Sequence, residues 1–345
     1  RINGLPVLRV MPNEGDPYDI DAPEPSYDLS GYRNPEFDTN AYHFTYTSLK
    51  TPTTVVSYDV TTKERRPLKV QPVPGYDATK FTTERLWAKG KDGTKIPISL
   101  LRHKDAKPTG KHPMLLLGYG SYGILYTPSF RNSVLSLLKR GFVFAIAHIR
   151  GGGEMGRAWY ENGKFEHKPN TFADFIACAE HLIAQKWTSS DKLCVQGGSA
   201  GGLLIGAVIN QRPELFGAAI ARVPFVDIVS TMLDDTLPLT VIEYDEWGNP
   251  NDKEVFDRLM AYSPYDNVAA KAYPPLLVTA GLNDPRVGYW EPAKWVARLR
   301  EHSTGKGPLL LKTHMGAGHG GESGRYGQLR ELAMIYAFAI DQVGK

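Results

Sequence analysis

Ser199 stands in Gly197-Gly198-Ser199-Ala200-Gly201-Gly202, after a short run with apolar residues from Leu193 to Val195 and before an apolar-periodic segment that starts at Leu203. Gly-x-Ser-x-Gly between a buried strand and a helix makes a turn so sharp that the serine's own backbone is strained. Gly197 and Gly201 are then the points where strand and helix nearly touch and a Cβ has no room. The turn lifts the Ser199 hydroxyl above the sheet. It also aims the Ala200 N–H, at the positive end of the helix, at a point where negative charge could develop. The chemistry this arrangement suits is attack by an activated hydroxyl, with an oxyanion to be stabilised.

Such a nucleophile needs a base and a group that orients the base. Asp284 follows the apolar run Pro275 to Ala280, and His319 lies in Gly316-Ala317-Gly318-His319-Gly320-Gly321 after the run Leu309 to Thr313. Both are expected just beyond strand carboxyl ends, on the same edge of the sheet as Ser199. The chain order Ser, Asp, His is that of the α/β-hydrolases, with Ser199 as nucleophile, His319 as general base then acid, and Asp284 as orienting carboxylate. His314 is a second candidate base, with less room to move than the glycine-flanked His319. A second oxyanion donor is expected in Gly118-Tyr119-Gly120-Ser121-Tyr122-Gly123, where Tyr119 could supply its hydroxyl. The segment Leu233 to Pro250 mixes carboxylates with apolar and aromatic residues. It reads either as a solvated face or as an acidic pocket floor that would take a Lys or Arg side chain.

The elements that must hold these residues follow from the pattern of the chain. Phe81 to Lys89 and Lys95 to His103 form a hairpin around Gly90-Lys91-Asp92-Gly93. Buried strands are expected at Met114 to Leu117, Phe142 to Ile149, the Cys194 run, Ala218 to Val223, Pro275 to Ala280 and Leu309 to Thr313. Helices are expected at Phe130 to Arg140, Asn170 to Trp187 with Asn170 or Thr171 as cap, the Leu203 segment, Pro292 to His302 and Leu329 to Val343. Short apolar strands alternating with helices imply a doubly wound, mostly parallel sheet with helices on both faces. Residues 1–75 differ: irregular to about Asn40, then short β runs at Ala41 to Thr47, Thr54 to Val60 and Pro67 to Val73. They resemble a single propeller blade, which cannot cover its own edges. The expected division is 1–75, an incomplete propeller-like segment and linker, and 76–345, an α/β-hydrolase catalytic domain.

The chain has 345 residues, a formal net charge of +3 and no long Lys/Arg run, which suggests no nucleic-acid partner. No apolar run reaches the length of a membrane span, and no signal peptide opens the chain. Cys178 and Cys194, its two cysteines, are expected as buried thiols in a reducing cytoplasm. No metal-ligand or cofactor motif is present. The chain starts at Arg1 rather than Met, so a processed chain or a fragment is expected.

Gly-Gly-Ser-Ala-Gly-Gly (197–202), Gly-Tyr-Gly-Ser-Tyr-Gly (118–123), His-Ile-Arg-Gly-Gly-Gly-Glu (148–154), Asn-Asp-Pro-Arg-Val (283–287) and Gly-His-Gly-Gly (318–321) together resemble the prolyl oligopeptidase family of serine peptidases. Glu243-Tyr-Asp-Glu-Trp-Gly-Asn-Pro250 is similar to the oligopeptidase B branch, which cleaves after Lys and Arg. The resemblance runs from about Tyr76 to the C-terminus, and residues 1–75 resemble the last blade of that family's propeller. It implies that Ser199, Asp284 and His319 form the triad and that Tyr119 works with the Ala200 N–H on the oxyanion. It implies that Glu243 and Asp245 recognise a basic P1 side chain, Asp245 being the shorter acid where Glu is expected, and that Arg286 binds substrate backbone near P2. Short basic peptides are the implied substrates. In these enzymes the propeller filters substrates by size, and most of a propeller is absent here, so the remainder is expected as a lost segment or a separate chain. Two other readings stay open: a carboxylesterase on the same fold, and an inactive hydrolase-shaped binding module.

Overall fold

The computed structural model describes residues 1–345. Its main sheet has eight strands: β1 (Phe81–Lys89), β2 (Lys95–His103), β3 (Met114–Leu117), β4 (Val143–Ala147), β5 (Leu193–Gly198), β6 (Ala218–Arg222), β7 (Leu276–Gly281) and β8 (Leu309–His314). Their spatial order is β8-β7-β6-β5-β3-β4-β2-β1. From β4 to β8 all neighbours are parallel, and the β1–β2 hairpin joins antiparallel through β2 and β4. This is the α/β-hydrolase arrangement.

The continuous apolar runs exist because both sheet faces are covered. In β3, Met114 and Leu116 join one core while Leu115 and Leu117 join the other, and Val143 and Phe144 of β4 divide the same way. One face carries the helices α1 (Lys168–Ala184), α2 (Ala200–Gln211) and α3 (Trp290–His302), through Phe172, Leu204 and Trp295. The other carries α4 (Arg325–Val343) and a short turn of helix at Val134–Leu138. Helix α2 lies at the centre and is buried at every position but Gln211, which suits a sequence with Leu203, Leu204, Ile205, Val208 and Ile209 on all sides.

Several expected elements differ. Phe130 to Arg140 is helical only at Val134–Leu138. Helix α1 starts at Lys168, with Pro169 in its first turn, rather than being capped by Asn170 or Thr171. Proline suits that position because its missing N–H would have no helical partner. The Thr171 hydroxyl instead donates to the Arg150 and Gly163 carbonyls, inside the fold. Strand β8 is an edge strand whose residues alternate between half-buried and exposed until His314, rather than a fully buried one.

Residues 27–70 form a separate antiparallel meander of four strands: Tyr27–Gly31, Ala41–Ser48, Thr54–Asp59 and Arg65–Val70. The stretch before Asn40 is therefore not irregular throughout: Tyr27–Gly31 is a strand, and Arg9–Val10 pairs with Tyr18–Asp19. A small core of Ile20, Leu29, Phe44, Tyr46, Val56 and Tyr58 holds this sheet. It is tied to the hydrolase sheet by Glu24, whose buried carboxylate accepts the hydroxyls of Tyr46, Ser48, Thr51 and, from β1, Thr83.

Candidate active site

Ser199 sits between the end of β5 and the first residue of α2, with φ 56° and ψ −123°. That conformation is open mainly to glycine, so the surroundings must impose it. They do so by proximity: a Cβ on Gly197 would lie 2.1 Å from the Gly201 carbonyl oxygen, and one on Gly202 would lie 2.3 Å from Pro224. The Ser199 N–H donates to the Arg222 carbonyl (2.8 Å), and the Ser199 carbonyl accepts from Gly202 (2.7 Å), which pins the turn from both sides. Ala200, as the first residue of α2, has an N–H without a helical partner.

Asp284 and His319 lie past the ends of β7 and β8, which are adjacent in the sheet. Asp284 Oδ1 accepts the N–H groups of Arg286 (2.9 Å) and Val287 (3.0 Å), and Oδ2 accepts from His319 Nδ1 (2.7 Å). Burial works to raise the Asp284 pKa, but the hydrogen bonds from His319 and the two backbone N–H groups outweigh it and hold the carboxyl below its ordinary value. With Nδ1 donating to Asp284, Nε2 is the nitrogen left to accept a proton. Ser199 Oγ makes no hydrogen bond to His319 in this structure. His314 ends β8, is buried, and has its Nδ1 3.2 Å from Glu322 Oε1, so its ring is engaged by a carboxylate other than Asp284.

A cavity of about 460 Å³ opens over Ser199. Tyr119, Ala200, Glu243, Asp284 and Arg286 line it with Ser199, and Phe225, Met232 and Trp290 supply apolar wall. Burial, with the Glu243 and Glu246 charges adding, pushes the Tyr119 hydroxyl up to about 12. It therefore remains a proton-bearing donor at neutral pH. Glu243 Oε2 accepts from the Tyr122 hydroxyl (3.0 Å) and from Trp247 Nε1 (2.8 Å). Burial raises the Glu243 pKa above its ordinary value, with these two donors opposing. Arg286 reaches the cavity and makes no ion pair.

Asp245 is placed elsewhere. Its side chain is 83% exposed and pairs with Lys164 (2.8 Å), away from the cavity. The helix Tyr244–Trp247 explains this, because residues two apart on a helix face different ways. Tyr122, Trp247, Lys168, Glu246 and Tyr160 were not singled out in the sequence, yet they hold the site. Lys168 Nζ is buried, pulled down to about 8 by burial, and donates to the Gly120 carbonyl and Ser121 Oγ (both 2.7 Å). Glu246 accepts the Tyr122 N–H (3.0 Å) and the Tyr160 hydroxyl (2.7 Å). The available signal was position: Tyr122 lies in the glycine-rich loop, and Glu246 and Trp247 in the acidic segment. No group of three or more His, Cys, Asp or Glu side chains is arranged to hold a metal ion.

A serine on a strained strand–helix elbow, an Asp–His pair on the same sheet edge and two free donors beside the serine define a serine hydrolase of the α/β-hydrolase fold. The comparisons make the class more specific. The model of the prolyl oligopeptidase family matches residues 128–345, and the chain belongs to that family of serine peptidases. It is similar to Dipeptidyl aminopeptidase BI of Pseudoxanthomonas mexicana, at 52% identity over 100% of this chain and 48% of the relative. It is also similar to Protease 2 of Moraxella lacunata, at 49% identity over 100% of this chain and 50% of the relative. Among solved structures, oligopeptidase B from Leishmania major superposes with a TM-score of 0.91 at 43% identity, covering 99% of this chain and 49% of the other. The chain spans about half the length of the curated relatives it matches. No helix is long and apolar enough to cross a membrane.

Proposed function

We propose that this chain is the catalytic portion of a serine oligopeptidase that hydrolyses short peptides after Lys or Arg through an acyl-enzyme on Ser199. The observation that carries the specificity is Glu243, a carboxylate in the wall of the same cavity as Ser199 and held there by Tyr122 and Trp247. A desolvated carboxylate pairs with a guanidinium through two parallel hydrogen bonds and with an ammonium as a point charge. In this reading Ser199 Oγ attacks the scissile carbonyl carbon and its proton passes to His319 Nε2. The oxyanion is held by the Tyr119 hydroxyl and the Ala200 N–H. Collapse expels the amine, which takes the proton from His319, and a water repeats the sequence to release the acid. Arg286 is assigned to the substrate backbone near P2, which its free guanidinium on the cavity rim supports. The four-stranded sheet of residues 27–70 is read as one blade of a propeller that filters substrates by size. The cytoplasm is the proposed compartment, which the two free, buried cysteines support.

A second reading comes from the relative named Dipeptidyl aminopeptidase BI. Release of dipeptides requires a group that binds a free α-ammonium, and an acid in the cavity could serve that end instead. The deciding experiment compares kcat/KM for N-terminally blocked and free peptides ending at Arg, Lys or a neutral residue, alongside a small neutral ester. Preference for blocked Arg and Lys peptides supports the oligopeptidase. Cleavage of free N-termini only supports the dipeptidyl aminopeptidase, and ester turnover alone leaves an esterase. Failure of a fluorophosphonate to label Ser199 would sink all three.

A further inference from the structure

We propose that Lys168 and Glu246 form a buried clamp that positions the Tyr119 hydroxyl and ties it to Glu243, so that both are positioning residues for the reaction. The proposal rests on reading Tyr119 as an oxyanion donor and Glu243 as the acid that receives a basic side chain.

The loop 118–123 carries Tyr119 in a conformation that would not hold itself. Gly120, Tyr122 and Gly123 all have positive φ, at 74°, 58° and 66°. A non-glycine residue there is strained and persists only when its neighbours over-determine it. Lys168 and Glu246 are those neighbours. The Lys168 side chain is 1% exposed, and its ammonium donates to the Gly120 carbonyl and Ser121 Oγ, both at 2.7 Å. Glu246, 4% exposed, accepts the next N–H along, that of Tyr122, at 3.0 Å. Three successive residues after Tyr119 are thus gripped by two buried charges, whose own atoms are 4.0 Å apart (Nζ to Oε1).

A lysine with no water around it is an expensive way to fill space. An apolar side chain of similar volume would pack at lower cost, since burying the ammonium forfeits its hydration. What the ammonium adds is direction: it fixes where the Gly120 carbonyl points, and so the rotation of the Gly120–Ser121 peptide, one residue beyond Tyr119. The same ammonium lies 4.8 Å from the centre of the Trp247 ring. Trp247 Nε1 donates to Glu243 Oε2 (2.8 Å), which also accepts from Tyr122 Oη (3.0 Å). One clamp therefore touches the loop bearing Tyr119 and both groups that hold Glu243. The clamp and its partners come from chain positions 120–122, 160, 168 and 246–247, with Tyr160 closing the far side of Glu246 (2.7 Å).

A residue that merely stabilises the fold would act independently of Tyr119, whereas a positioning residue acts through it. The test is a double-mutant cycle with Lys168→Met and Tyr119→Phe, reading kcat and KM for an Arg peptide amide and a neutral ester, with thermal melts on each variant. Lys168→Met is expected to lower kcat on both substrates by about 10- to 100-fold, as a displaced catalytic donor does. In the Tyr119→Phe background the further loss should shrink to less than about 3-fold, because the two residues act as one unit. KM should rise for the Arg substrate only, through Glu243. An equal loss in both backgrounds, or wild-type kcat in Lys168→Met, overturns the proposal. If Lys168→Met does not fold, Tyr160→Phe takes its place. It removes one hydrogen bond from Glu246, and the expected loss of about 3- to 10-fold should vanish in the same way in Tyr119→Phe. Persistence of that loss, or none in the Tyr160→Phe single variant, overturns the clamp. Wild-type kcat in Tyr119→Phe alone removes the oxyanion reading and the clamp with it, whereas a large loss there with a silent Lys168→Met removes the clamp only.

Discussion

Asp284 Oδ2 lies 2.7 Å from His319 Nδ1, and the Asp284 side chain is 1% exposed while His319 is 18% exposed. The carboxylate is thus dry, while the imidazole keeps some exposure; His319 itself is not among the residues lining the cavity over Ser199. Two backbone N–H groups hold the second oxygen, so the acid cannot rotate away. The pair fixes which imidazole nitrogen is free.

Asp284→Asn should keep this shape and lose the chemistry. An amide in place of the carboxylate favours the wrong imidazole tautomer, and kcat should fall by about 10⁴-fold. The pKa of Asp284 is lower folded than unfolded, so its stabilisation is present above the ordinary carboxylate range and lost as pH falls through the depressed value. The stability gap between wild type and Asp284→Asn, measured by urea unfolding, should therefore narrow between about pH 5 and pH 2. A gap that stays constant over that range would contradict the reading of Asp284 as a carboxylate held ionised by its hydrogen bonds.

The elbow stores strain that a substitution can release. Ser199 at φ 56° and ψ −123° occupies a region that glycine enters freely. Ser199→Ala keeps the Cβ and the strain, whereas Ser199→Gly removes both. Both variants should be inactive, yet Ser199→Gly should be the more stable by about 1 kcal/mol. Thermal melts of the two, side by side, decide this. An alanine variant as stable as the glycine one would mean that the turn is relaxed.

Glu291 is a second buried carboxyl, in the first turn of α3 behind the cavity wall. It accepts the N–H groups of Val226 (2.9 Å) and Asp227 (3.0 Å) and the Thr231 hydroxyl (2.7 Å). Burial pushes it up to about 7, with those hydrogen bonds opposing. An acid whose folded pKa is raised holds its proton longer when folded, so its contribution to stability is full below its unfolded pKa and falls as pH rises to the folded value. Wild-type stability should decline over roughly pH 4.5 to 7 relative to Glu291→Gln, whose amide oxygen can accept the Val226 and Asp227 N–H groups and whose NH2 can donate to the Thr231 oxygen, without titrating. Parallel pH profiles for the two proteins would show that folding leaves the Glu291 pKa unchanged.

Much of this site was readable because its parts announce themselves locally. The elbow needs glycines at fixed offsets from Ser199, and Asp284 and His319 follow apolar runs that read as strands, although the run before His319 is an edge strand and only partly buried. What was not readable depends on partners distant in the chain. Lys168 in His-Lys-Pro-Asn reads like any surface lysine, because nothing local shows that it reaches Gly120, 48 residues away. Tyr27–Gly31 was missed because Asp28, Ser30 and Gly31 weaken the strand pattern, and only pairing with Ala41–Ser48 makes it a strand. The exposure of Asp245 was hidden too, since its neighbour Glu243 faces the cavity from the same short acidic run.

Glu243 carries the specificity reading, and its surroundings allow a test in two dimensions. Removing one partner of a desolvated charge pair costs about 2–5 kcal/mol. At about 1.4 kcal/mol per decade that is roughly 30- to 5,000-fold in kcat/KM. Glu243→Gln keeps an acceptor for Tyr122 and Trp247, so it should lower cleavage after Arg and Lys by that order while a neutral ester is spared. Asp245→Asn should change the same ratio by no more than about 3-fold, because an exposed ion pair with Lys164 is worth little. The second dimension is pH. Burial raises the Glu243 pKa in the free enzyme, so its charge is lost earlier than usual as the solution is acidified. Profiles of kcat/KM report free-enzyme ionisations. The ratio of Arg-peptide to neutral-ester kcat/KM should therefore fall on the acid side in the wild type and stay level in Glu243→Gln, since dividing by the ester cancels the protonation they share. Equal losses on Arg, Lys and neutral substrates in Glu243→Gln would mean that the residue supports the cavity wall rather than selecting a cation.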